Sequence, residues 1–211
     1  MQVIVVANPK GGAGKSTLAT NLAGYLASQG RQVMLGDSDR QQSSHLWLGL
    51  RPAEARPIAA WELDDGHVAK PPKGTTHVVL DTPAALHGKR LDEVMKVADQ
   101  VIVPLQPSIF DIYATRHFLD LVNAHRKHDQ VRVGLVGMRV KDHTISADQL
   151  KAYTASLEVP MIGCLRDTQN YIQLAARGLT LWDVAPSRVE RDLEQWQPIL
   201  RWIDAGEDQA P

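Results

Sequence analysis

Cysteine is nearly missing from this chain: Cys164 stands alone among 211 residues. One thiol excludes an intramolecular disulfide and any multi-cysteine metal site within a single chain, and it fits a reducing compartment. A strong charge of either sign is missing too. Lys and Arg number 23 against 24 Asp and Glu, a formal net charge of -1, so any nucleic-acid surface has to be a local patch. No run approaches the ~20 consecutive apolar residues that span a bilayer. The opening MQVIVVANPK has neither the basic start nor the small-residue cleavage site of a secretory signal, and the expectation is a cytoplasmic protein. There is no internal repeat and no low-complexity tract. A chain of this length fills one core well and is short for two. We therefore expect one domain over residues 1–204 and a frayed tail at 205–211.

What is present is an alternation. Short β-branched runs, VIVVA (3–7), QVMLGD (32–37), HVVLD (77–81), QVIVPL (100–105), VRVGLVG (131–137) and MIGCL (161–165), read as strands. Helical patterns fall between them at 15–28, 89–97, 108–127, 147–157 and 168–177, with Ser146 and Gln149 spaced as a capping box. Strands that are apolar throughout are buried on both faces, and alternation with helices makes the sheet mainly parallel. The predicted fold is α/β, doubly wound. Residues 51–76 carry Pro52, Pro57, Pro71 and Pro72 and read as an irregular surface excursion.

The first strand runs into NPKGGAGKST, residues 8–17, and then a helix. Strand, glycine-rich turn and helix are the setting of a phosphate loop. Gly11, Gly12 and Gly14 allow positive φ and let amides approach phosphate oxygens, with Ala13 in the same turn, and the helix N-terminus faces the same charge. Lys15 would meet the β- and γ-phosphates and the Ser16 hydroxyl would ligate Mg²⁺, next to Thr17. The usual G-x-x-x-x-G-K-[ST] pattern fails at its first glycine, because Pro9 stands there, and an extra lysine, Lys10, is present. Asp81 ends an apolar strand, where a carboxylate holds Mg²⁺. Asp37 and Asp39, two residues apart after another strand, both reach toward a metal-bound nucleotide, one supporting the metal shell and the other orienting water.

Together, KGGAGKST, GDSDRQQSS and VVLDTPA resemble the ParA/MinD group of deviant Walker-A ATPases over most of the chain, most firmly over residues 1–110. The resemblance accounts for the missing glycine and implies that Lys10 crosses to the nucleotide of a second subunit in an ATP-sandwich homodimer. It implies that Asp39 acts on the attacking water, that Asp37 supports the metal site and that Asp81 senses the γ-phosphate, with ATP and Mg²⁺ as cofactors. Two departures, Arg40 in place of a proline and DTPA in place of D-x-P-P, remove no reactive group but alter the turns after both strands.

Branches of the group differ in what the dimer binds. The ParA branch binds DNA without sequence preference, and Arg166, Arg177, Arg188 and Arg191 are the candidate contacts, with a ParB-like adaptor or cargo as partner and the nucleoid as location. With no helix-turn-helix segment ahead of the first strand, operator-specific repression is not expected. A MinD-like membrane cycle would need a basic amphipathic helix. Residues 188–203 have an apolar stripe, but Arg188, Arg191 and Arg201 are offset by Glu190, Asp192 and Glu194, so the stripe is expected to face the core. Relatives of the nitrogenase iron protein need four thiols across two subunits, where Cys164 would supply two. A ligase of the dethiobiotin synthetase kind stays open. His125 and His128 read as a solvated pair at a helix C-terminus rather than ligands.

Overall fold

The computed structural model describes residues 1–61, 71–84, 86–125 and 130–207. Among them the chain runs β1 (Gln2–Val6), α1 (Lys15–Ser28), β2 (Val33–Asp37), α2 (Ser43–Leu50), β3 (Ala59–Trp61), β4 (His77–Asp81), α3 (Gly88–Val97), β5 (Gln100–Leu105), α4 (Ile109–His125), β6 (Arg132–Val140), α5 (Ile145–Thr154), β7 (Met161–Arg166), α6 (Gln169–Ala175) and α7 (Glu190–Glu207). Short 3₁₀ turns at Leu181–Asp183 and Pro186–Arg188 link α6 to α7.

One parallel sheet results, in the order β3-β2-β4-β1-β5-β6-β7. The chain leaves β1 toward β2 on one side, returns to β4 beside β1, then crosses to β5 on the other. This switch opens a crevice at the carboxyl end of β1, where open α/β sheets bind ligands. Side chains alternate across the sheet. Val3 and Val5 join Leu91, Phe118 and Leu150 on one face. Ile4 and Val6 join Leu18, Trp47 and Trp196 on the other. Both faces are covered, which is why the strands carry no polar alternation.

The expected irregular excursion is more ordered than its prolines suggest. It contains β3, whose Trp61 packs against the backbone of Gly36, while residues 62–70 lie outside the described residues. Helix α2 was not expected. Its cap is not local: Gln42 sits at φ 49, and Asp37, seven residues before Ser44, takes the first-turn amides. Helix α5 starts two residues earlier than its sequence signal, because Thr144 rather than Ser146 accepts from Ala147 N. Helix α7 runs through Pro198 to Glu207, into the stretch expected to fray, and residues 208–211 lie outside the described residues. Its stripe is in the core: Trp196 and Ile203 are fully buried, and Trp196 Nε1 donates to Tyr171 Oη at 3.0 Å. Among the described residues no helix is long and apolar enough to cross a membrane.

Candidate functional site

The loop between β1 and α1 is anchored from below. Asn8 is fully buried. Its Nδ2 donates to Pro104 O at 2.7 Å and to Thr115 Oγ1 at 3.3 Å, and its Oδ1 accepts from Lys10 N at 2.7 Å. Gly12 and Gly14 stand at φ 75° and 96°, conformations costly for any residue with a Cβ. A Cβ on Gly14 would also lie 2.8 Å from Met138 Cε. Gly14 is the N-cap of α1 and supplies no side chain to the first-turn amides, so these amides face the crevice as an anion cradle. Lys15 is buried, its Nζ donating to Lys10 O at 2.9 Å. Burial lowers its pKa, against the opposing pull of Asp81 and Asp39.

Across the crevice stands Asp81, 2% exposed. Ser44 Oγ donates to its Oδ2 at 2.7 Å, while Oδ1 is buried with no hydrogen-bond partner. Burial raises this carboxyl's pKa to about 6. The Ser16 and Ser44 hydroxyls oppose the rise, neighbouring Asp37 adds to it, and Lys15 opposes it. An unpaired buried carboxylate oxygen near a phosphate-loop hydroxyl is a site that wants a cation. Mg²⁺ fits, since it takes one or two carboxylates together with substrate phosphates and water rather than an all-protein cage. Among the described residues no group of three or more His, Cys, Asp and Glu gathers.

The two remaining acidic residues divide their work. Asp37 is committed to the backbone, Oδ1 accepting from Asp39 N at 2.9 Å and Oδ2 from Ser44 N at 2.8 Å and His45 N at 3.3 Å. Both of its oxygens are thus taken by backbone amides of the turn it shapes. Asp39 Oδ1 accepts from Gln41 N at 3.0 Å. Asp39 lines a cavity of about 550 Å³ with residues of the phosphate loop, Gln41, Arg90 and Arg139. Lys10 does not line this cavity. Its Nζ lies 6.0 Å from the ring centre of Phe110, which is 74% exposed.

Among the contributors not anticipated are Asn8, Ser44 and Arg139. Asn8 carries a recognisable sign, a polar residue immediately after an apolar strand. Ser44 carries none, because its partner is 37 residues away. Arg139 reaches the cavity from a register shift between Gly137 and Val140 at φ 54°, and a bulge that re-aims a side chain leaves no periodic signature.

The four arginines proposed for DNA differ in their partners. Arg166 Nε bonds the fully buried Asp192, which Asn170 also reaches, so that guanidinium neutralises an interior charge. Arg191 faces Asp142 at 3.4 Å. Arg177 and Arg188, both exposed, share a cavity of about 170 Å³ with Asn170 and Gln173. His125 bridges α4 to Asp92 of α3 and bonds Leu121 O, so it is not a free solvated residue. His128 lies outside the described residues.

A parallel sheet with a phosphate loop at its switch point, a buried lysine and a strand-end aspartate defines a P-loop nucleotide-binding protein. Residues 4–181 match the CobQ/CobB/MinD/ParA nucleotide binding domain, and the chain belongs to that family. It is 39% identical over 119 residues to the maintenance of carboxysome distribution protein A of Gloeobacter kilaueensis, covering 53% of this chain and 52% of that one. Against the chromosome-partitioning ATPase Soj of Thermus thermophilus it is 29% identical over 184 residues, 71% and 74% of the two chains. The chain thus spans about half the length of the first relative and three quarters of the second. A plasmid partition protein of Borrelia burgdorferi, solved with AMPPNP, superposes with a TM-score of 0.73 at 16% identity, over 95% of this chain and 98% of that one. This likeness is one of fold.

Proposed function

We propose that the protein is a Mg²⁺-dependent ATPase of the partition type, whose ATP-bound form is a homodimer that holds DNA without sequence preference and positions a cargo until an adaptor stimulates hydrolysis. The observation that carries this reading is the division between the two loop lysines. Lys15 is buried beside Asp81 and serves its own cavity, whereas Lys10 projects away from it, onto exposed Phe110. This division supports a role for Lys10 at the site of a second copy, where a second ammonium would meet the γ-phosphate.

The amides of residues 11–17 and Lys15 would hold the β- and γ-phosphates, and Ser16 with Asp81 Oδ1 would hold Mg²⁺. The metal, when bound, neutralises phosphate charge and polarises the γ-phosphoryl group. Asp39 would orient a water in line with the γ-phosphorus, so that the new P–O bond forms as the bond to the β–γ bridging oxygen breaks. Lys10 of the second copy would stabilise the charge that develops. Arg177 and Arg188 would meet DNA phosphates, doubled by the dimer, and the term would weaken steeply with salt.

The test is retention of the protein on random-sequence DNA with ATP, ADP or no nucleotide, over a salt series and with Lys10→Ala alongside. ATP-specific, salt-sensitive retention that Lys10→Ala abolishes is the expected result. Retention with ATP absent at every salt concentration, in a protein shown to dimerise on ATP, overturns the DNA output. Normal ATP-dependent dimerisation of Lys10→Ala overturns the role in trans.

A further inference from the structure

Helix α2 begins at the nucleotide site and ends at a buried ion pair that has no part in it. At its start, Ser44 N and Ser44 Oγ bond Asp37 and Asp81. Just past its end, the Arg51 side chain is 5% exposed, and its fork donates through Nη1 and Nη2 to the two oxygens of Asp183, both at 2.9 Å. Nη1 also donates to Gly178 O at 3.0 Å, Nε donates to Arg56 O at 2.9 Å, and the guanidinium lies 5.4 Å from the Trp47 ring. Removing both charges from water is costly, and closing a short helix does not require it.

The far side of this anchor is as constrained as the near side. Asp183 accepts from Thr180 N at 2.8 Å and Thr180 Oγ1 at 2.7 Å, a capping box for the Leu181–Asp183 turn. Gly178, at φ 65°, is pressed so closely on α2 that a Cβ would lie 2.4 Å from Arg51 N. Gly178 directly follows Arg177, and the segment continues into the turn ending at Arg188. An eight-residue helix, about 12 Å long, is therefore tied at one end to the two carboxylates of the nucleotide site and at the other to the corner that presents Arg177 and Arg188.

We propose that α2 is a strut linking the nucleotide site to the Arg177–Arg188 surface, with Arg51 as the positioning residue at its far end. A change at Asp81 or in the turn held by Asp37 shifts α2 as a unit, because its first turn has no other cap, and the Arg51 fork passes the shift to the 177–183 segment. The output rests on the reading of that surface as the DNA contact. The movement does not.

Amide hydrogen exchange tests the movement without DNA. In the wild-type chain, a non-hydrolysable ATP analogue with Mg²⁺ should change protection both at residues 42–46 and at 177–183, where Thr180 N bonds Asp183 directly. Arg51→Lys keeps the charge but loses the fork, and should retain the response at 42–46 while losing at least most of that at 177–183. Its ATP-over-ADP ratio of DNA affinity should fall about five-fold or more, the scale of ordinary allosteric coupling. No nucleotide-dependent change at 177–183 in the wild-type chain overturns the proposal, and this needs no variant to fold. A wild-type response in Arg51→Lys at that segment also overturns it. Wild-type protein that responds at 177–183 but never retains DNA overturns the DNA reading and leaves the strut standing.

Discussion

Replacing Asp81 by Asn should make the nucleotide-free protein more stable while removing its response to Mg²⁺. The carboxyl is 2% exposed, one oxygen has no hydrogen-bond partner, and its pKa rises from 3.8 to about 6, burial being the largest cause. A carboxyl with a higher pKa folded than unfolded holds its proton more tightly in the native state. Native stability from this group is therefore fully present below about pH 4, declines as pH rises from 3.8 to about 6, and stays lost above that. At ~1.4 kcal/mol per pH unit the loss is on the order of 3 kcal/mol at neutral pH. Asn is nearly isosteric, can accept from Ser44 Oγ and carries no charge to desolvate. In a chain of this size ~1 kcal/mol moves Tm by about 2–4 °C, so Asp81→Asn should melt about 6–12 °C above wild type at pH 7.5 and only about 2–4 °C above it at pH 4.5. Thermal scans at the two pH values, with and without Mg²⁺ and a non-hydrolysable ATP analogue, provide the measurement. Wild type should gain stability from the metal-bound nucleotide at pH 7.5 and the variant should gain little. A variant less stable than wild type at pH 7.5, or a difference unchanged between the two pH values, would refute the argument that Asp81 is a buried charge awaiting a cation.

Lys15→Ala should lose measurable binding of a fluorescent ATP analogue, because Lys15 is the buried cation of the cradle; binding within about three-fold of wild type would contradict that placement. Asp39→Ala should still bind ATP and form the dimer by light scattering but hydrolyse at least ~10²-fold more slowly, the usual contribution of a positioned base; wild-type turnover would remove Asp39 from the chemistry.

Local rules carried most of the fold because each rests on neighbours in sequence. Apolar strands, four-residue helical spacing and the turn glycines place β1, α1, β4 and β5 within a residue or two of their observed ends. The phosphate loop was legible for the same reason: amides, lysine and hydroxyl all lie within residues 11–17, so covalent spacing sets their geometry. Asp81 could be read as a metal ligand, but its orphaned oxygen could not, since that depends on Ser44 approaching from a helix with no sequence signal of its own.

The arginines show the opposite case. Arg166 and Arg177 look alike in the chain, yet one is paired with buried Asp192, 26 residues later, while the other stays exposed and shares a cavity with Arg188. Arg51 opens the stretch read as a surface excursion and is in fact a buried anchor on Asp183, 132 residues away. The sequence by itself determined the alternating architecture, the phosphate loop and the identity of its charged groups, because backbone periodicity and covalent spacing act over short range. Only the tertiary structure decided which charges line the cavity, which are neutralised within the fold and which join the end of α2 to Asp183. A charge takes its role from the partner that packing brings to it, and packing joins residues whose separation in sequence carries no pattern.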